Sequence, residues 1–357
     1  SPSVVDVEIS GGGSYGTIDG GAIYVSGGSP SLESVSIENS QGRKGGAIYA
    51  NGKASLAIST LSVDSTAATY GGGLYLDDVT VVGDAIDLTD VQVDRSGGGF
   101  YIDDADVTLT NLTIRDTTGN DSWGVGIYIR DRAIVSITTG TISGNVASNY
   151  ASGYYGGGIY VEGQSSLSLD SVELSDNIAY AGGGLAVDDY STATLLSVSF
   201  DTNEADDRGG AMDVAAASTV TCSGCAFTDN VAVDGGAVEV RGTSSFTDVN
   251  GEYSGNEASD DGGAVHINVA EATFSGTVFT GNEAAASGGG IYAYTTTATL
   301  TVADAEFSSN TSIADDGGAI AAIRRTAVDV SNSQFDSNSS VYGSGGAIYF
   351  AAGFNTH

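Results

Sequence analysis

Residues Phe227-Thr228-Asp229-Asn230-Val231-Ala232-Val233-Asp234-Gly235-Gly236-Ala237-Val238 decide the fold of this chain. An aromatic slot is followed three residues later by asparagine, and then by a glycine pair with an apolar residue two positions beyond it. The glycine motif returns with its apolar residue at Ile23, Ile48, Leu74, Phe100, Ile127, Ile159, Leu185, Met212, Val238, Val265, Ile291, Ile320 and Ile348, a spacing of about 27 residues. A second apolar column precedes it: Ile9, Ile37, Val63, Val93, Ile114, Ile142, Leu174, Phe200, Phe227, Tyr253, Phe279, Phe307 and Phe335. Three residues past this slot stand Asn145, Asn177, Asn203, Asn230, Asn256, Asn282, Asn310 and Asn338, with Gly12, Ser40, Thr66, Ser96 and Thr117 in the earlier copies.

Each repeat holds three alternating segments, as in Ser166–Leu169, Val172–Leu174 and Gly184–Val187, separated by corners and not by helices. The expected fold is therefore all-β, a right-handed parallel β-helix (β-solenoid) of about 13 three-sided rungs. Phe and Ile slots should line the interior, asparagines should bond one another along the axis, and glycines should occupy corners where a Cβ would crowd the next rung or where φ is positive. Residues 1–357 are expected to form one such domain, part of a longer surface protein.

Composition narrows the function. The chain of 357 residues has 53 glycines and 2 prolines, and 45 acidic against 11 basic residues give a net charge of −34. Such a surface repels nucleic acid and anionic lipid alike. No apolar run is long enough to span a membrane.

The pairing of Phe227-x-x-Asn230 with Gly235-Gly-Ala-Val238 resembles the repeats of polymorphic outer membrane proteins, surface adhesins whose passenger regions are β-helical. That resemblance implies extracellular, cell-surface display and an adhesive role. The expected function is a non-catalytic structural or adhesive module, a stiff rod contacting other surface proteins, glycans or copies of itself. The alternative is a carbohydrate-active β-helix enzyme, a polysaccharide lyase or glycoside hydrolase. Against it, basic residues are scarce, and neither Arg43-Lys44 nor Arg324-Arg325 falls in a recognisable constellation of carboxylates.

Three groups of residues are candidate sites. Tyr24, Tyr49, Tyr75, Tyr101, Tyr128 and Tyr160 follow the apolar slot in six successive rungs and by alternation face outward. Such a ladder either forms a contact strip or stabilises a strand face. The column then changes to Ala186, Asp213, Glu239 and His266 before Tyr292. Asp77-Asp78 and Asp103-Asp104 share a register and place like charges at one corner, for which Ca²⁺ is the natural partner; no other cofactor is required. Cys222 and Cys225 occupy inward positions, as a small disulfide or as two buried thiols. With only two histidines elsewhere in the chain they cannot complete a zinc site.

Overall fold

A computed structural model describes residues 2–147 and 153–351; Tyr150, which from the sequence could extend the tyrosine ladder through the loop before Tyr155, lies outside the described residues. No helix occurs among them, and every strand pairing is parallel, as in a right-handed β-solenoid of about 13 turns. The chain divides into two compact units, Ser1–Ala179 and Tyr180–His357.

In the N-terminal unit the glycine motif opens six short strands: Ile23–Ser26, Ile48–Asn51, Leu74–Asp77, Phe100–Asp103, Ile127–Arg130 and Ile159–Val161. They pair in unbroken register, Leu74 with Phe100 and Phe100 with Ile127. The C-terminal unit holds seven more, from Leu185–Val187 to Ile348–Ala351. Between these strands the chain turns on one or two residues in the left-handed region. One coil turns at Ala85 (φ 51°), Asp90 (φ 51°), Gly97 (φ 64°) and Asp104 (φ 48°). Asp and Asn tolerate that conformation better than most L-residues because their short polar side chains bond locally. This accounts for three of the Asp-Asp pairs in the chain: Asp78, Asp104 and Asp189, the second members of Asp77-Asp78, Asp103-Asp104 and Asp188-Asp189, are all such corners.

The two glycines of the motif do different work. The first has positive φ, 59° at Gly235 and 69° at Gly262. The second has no room for a Cβ: at Gly236 it would stand 2.2 Å from the carbonyl oxygen of Gly263 in the next coil. Both expected roles are thus filled, one by each residue.

The interior follows the aromatic column. Phe200, Phe227 and Tyr253 are fully buried and stack with centroids 5.0 and 4.5 Å apart, and Leu174 is buried in the N-terminal unit. The corner after this slot is a short extended segment in which each asparagine links two neighbouring coils. Asn256 Nδ2 donates to Asn282 Oδ1 (2.9 Å) and to the Phe227 carbonyl (2.9 Å), while Asn256 Oδ1 accepts from the amide of Asn230 (3.0 Å). In one coil the sequence register needs correction. Leu88, not Val93, pairs with Val63 and Ile114, and Ser96 belongs beside the glycines, paired with Tyr70 and bridged to Trp123. The alternation Val91-Gln92-Val93 imitates the slot pattern, whereas the turn at Asp90 sets the true frame.

Cys222 and Cys225 are free thiols, both buried, so the disulfide is not formed and the two-thiol alternative describes the site. Burial pushes the Cys222 thiol well above its ordinary range, which leaves it unreactive. The interior slot after Cys222 in register is Asp248, a carboxylate in the core whose Oδ2 accepts from Thr277 Oγ1 at 2.9 Å.

Candidate functional site

The outer face of the glycine-led sheet carries the chemistry in both units. Alternation does send the tyrosines outward there: Tyr75 pairs with Tyr101, Tyr101 with Tyr128, and Tyr128 with Tyr160. They are nevertheless covered. Tyr24 is 54% exposed, but Tyr49, Tyr75, Tyr101, Tyr128 and Tyr160 retain only 2–5% of their surface. The expected exposed strip is instead a second, external core. Its rings pack on one another, Tyr75 and Tyr101 parallel at 4.3 Å and Tyr101 edge-on to Tyr128 at 4.9 Å.

Side chains from the flanking columns roof the edges of this ladder. Lys44 Nζ lies 4.4 Å from the Tyr75 centroid, and the Tyr70 ring meets Tyr101 at 5.8 Å. Asn51 donates to the Tyr49 hydroxyl (3.0 Å), which donates in turn to Asp77 (3.2 Å). Arg130 reaches the Tyr101 hydroxyl at 3.3 Å, and Glu162 accepts from both Tyr128 and Tyr160. Burial raises the Tyr75 and Tyr128 phenols far above their ordinary range, so both remain neutral donors.

The aspartates assigned to Ca²⁺ stand beside cations of the chain itself. Lys44 Nζ is 4.0 Å from Asp77, Arg130 Nε is 3.9 Å from Asp103, and Arg132 Nη2 is 3.9 Å from Asp104. These groups supply positive charge of the kind the sequence reading sought from a metal ion, and Asp78 and Asp104 are explained as left-handed corners.

Open aromatic surface lies at the rim of the ladder. Tyr70, Trp123 and Tyr154 border a cleft of about 510 Å³ with Asp94, Arg95 and Asp121 among its polar lining. Trp123, 40% exposed, is held by a hydrogen bond from its indole Nε1 to the Gly153 carbonyl (2.6 Å), and Arg95 Nη1 fixes the Tyr70 hydroxyl at 3.1 Å. The sequence reading passed over this cleft. Its residues come from coil positions just before the glycine pair, where Tyr70 and Trp123 alternate with Lys44 and Ser96 and make no repeating pattern.

In the C-terminal unit the same outward column is charged. Asp213 pairs with Glu239, and Glu239 with His266, along the sheet. Arg241 clasps Asp213 through two bonds of 3.0 and 2.9 Å, with Arg208 Nε at 3.8 Å. His266 Nδ1 lies 2.7 Å from Glu239 Oε2. Burial lifts the Glu239 carboxyl, opposed by His266; burial lowers the His266 imidazolium, but the carboxylates of Glu239, Asp234 and Asp261 together outweigh this and raise its pKa to about 9. Asp213, Glu239 and His266 are all buried beneath their neighbours. Sequence reasoning recorded this break in the tyrosine column but did not connect it with Arg208 and Arg241, which enter from flanking columns.

A family model described as right-handed β-helix region matches residues 72–252, and a Chlamydia polymorphic membrane protein repeat model matches residues 276–294 and 332–351. Searches of curated proteins and of solved structures gave no match.

Proposed function

We propose that this chain, which belongs to the right-handed β-helix family, is a surface-displayed adhesive module that binds neutral glycans in the cleft between Tyr70, Trp123 and Tyr154. The repeats it shares with polymorphic membrane proteins support the surface setting. The observation that carries the ligand class is Trp123, an indole anchored at its nitrogen with much of its surface open to solvent. Pyranose rings present flat C–H faces that stack on such rings, and their hydroxyls require the mixture of carboxylate and guanidinium donors and acceptors that Asp94, Asp121 and Arg95 provide. The net charge of −34 disfavours acidic glycans.

Binding without turnover is the better reading because the acid–imidazole pair of the outer sheet face, Glu239 and His266, is buried beneath its neighbours and beyond the reach of a polysaccharide. Trp123 is the only tryptophan, so its fluorescence reports on this cleft alone. Neutral oligosaccharides should shift its emission saturably. Tyr70→Ala should weaken binding at least tenfold, and Trp123→Ala should abolish retention on a glycan array. Retention of glycans by Trp123→Ala, or silence across a broad neutral panel, would refute the assignment; release of reducing ends from a polysaccharide would favour an enzyme.

A further inference from the structure

The residue just before the first motif glycine decides how the tyrosine ladder of the N-terminal unit is covered. Lys44 pairs with Tyr70, Tyr70 with Ser96, and Ser96 is bridged to Trp123, so these four stand in one column along the coils. Three of them are long and lie over the ladder. Lys44 Nζ is 4.4 Å from the Tyr75 centroid, the Tyr70 ring meets Tyr101 at 5.8 Å, and the Trp123 ring meets Tyr128 at 6.5 Å. Ser96 is too short to join this roof. It is only 2% exposed, at the foot of its two aromatic neighbours, and among the described residues Tyr70 and Trp123 make no ring contact across it. The roof therefore has a seam over Ser96.

A second cavity, of about 360 Å³, lies on the ladder side of that seam. Lys44, Arg130 and the ladder tyrosines Tyr101 and Tyr128 line it, and it shares Tyr70, Ser96 and Trp123 with the outer cleft. Two compartments of ligand size with a common wall admit one ligand whose successive units occupy both. The two cations of the inner cavity already have partners. Lys44 Nζ is 4.0 Å from Asp77, and Arg130 Nε is 2.8 Å from Asp131 and 3.9 Å from Asp103. They offer an incoming group N–H donors with little net charge, beside flat aromatic surface, which suits a neutral ring bearing hydroxyls and not an anion.

We propose that the inner cavity is a second sugar subsite, and that the ligand is a linear neutral oligosaccharide lying across the seam with one ring on each side of it. The inference rests on the glycan reading of the outer cleft and adds to it a ligand length and the residue that sets it. Trp123 is the wall common to both subsites. Ser96 is the specificity-determining residue: a large side chain there, such as Tyr70 supplies one coil earlier, closes the seam and confines the ligand to the outer cleft.

The test is calorimetric titration of the full chain with glucose, galactose, mannose and N-acetylglucosamine, each as the monomer and as its short linear oligomers. For the sugar that binds, affinity should rise about tenfold from monomer to trimer and then level off. Ser96→Leu fills the seam, and Lys44→Met keeps an apolar stem over Tyr75 while removing the donor. Each should lower trimer affinity about tenfold, to near that of the monomer, with urea unfolding confirming a folded chain. If Ser96→Leu does not fold, Lys44→Met decides alone. Monomer and oligomers bound equally well overturn the second subsite and leave the glycan reading standing, as does a full gain with length in Lys44→Met. Silence across all four series overturns both.

Discussion

Replacing Asn256 by alanine tests whether the asparagine column holds the coils together. The side chain is fully buried and makes four bonds. Its Nδ2 donates to Asn282 Oδ1 and to the Phe227 carbonyl, both at 2.9 Å, and its Oδ1 accepts from the Asn230 amide at 3.0 Å and Asn230 Nδ2 at 2.9 Å. Two of the abandoned partners are main-chain groups in a dry interior. At about 1 kcal/mol net per bond the loss is about 4 kcal/mol, and more if neither main-chain group finds water. Repeat proteins open coil by coil, so urea unfolding should be accompanied by hydrogen exchange at the Asn230 amide, where protection should collapse first. Asn256→Thr should recover part of the loss, because Thr66 occupies the same corner and donates to the Gly72 carbonyl at 2.9 Å. Glu257→Ala, one residue away and exposed, should stay within about 0.5 kcal/mol of the parent. If Asn256→Ala loses no more than this control, the ladder does not stabilise the coils and the argument fails.

Three further outcomes are expected. Burial raises the Asp248 carboxyl to about 6, against the Thr277 and Gly251 donors, from an unfolded value near 3.9. The native state therefore holds its proton more tightly. Stability is greatest below the unfolded value and declines as pH rises from about 4 to 6, by about 3 kcal/mol. Urea unfolding of Asp248→Asn should show its advantage over the parent growing by that amount between pH 4 and pH 8, and a pH-independent difference would count against the buried carboxylate. Gly236→Ala drives a Cβ to within 2.2 Å of the Gly263 carbonyl oxygen, whereas at Gly281 the same change meets nothing within 4 Å and strains only the backbone (φ 65°). The first should cost more than about 3 kcal/mol and the second about 1 kcal/mol in paired urea titrations. Tyr75→Ser/Tyr101→Ser empties two stacked, buried rings and should lower stability by more than about 5 kcal/mol. An unchanged thermal melt would return these tyrosines to the role of a free contact surface.

The amino-acid sequence by itself determined the coil, its interior and its corners. Each coil stacks on a near copy of itself, so one position meets the same position above and below, and a column read along the sequence is a column in space. Phe227, Asn256 and the pair Gly235-Gly236 could therefore be assigned without coordinates. The register slipped only at Val93, where a local alternation imitated the slot now filled by Leu88. Periodicity is silent on contacts between different columns. Alternation gave the direction of Tyr75 and Tyr101, but their cover comes from Lys44, Tyr70 and Arg130 in flanking columns that do not repeat. The cleft at Trp123 and the clasp of Arg241 on Asp213 have the same origin. Their members share no sequence period, and only the lateral packing of side chains across the sheet brings them within reach of one another.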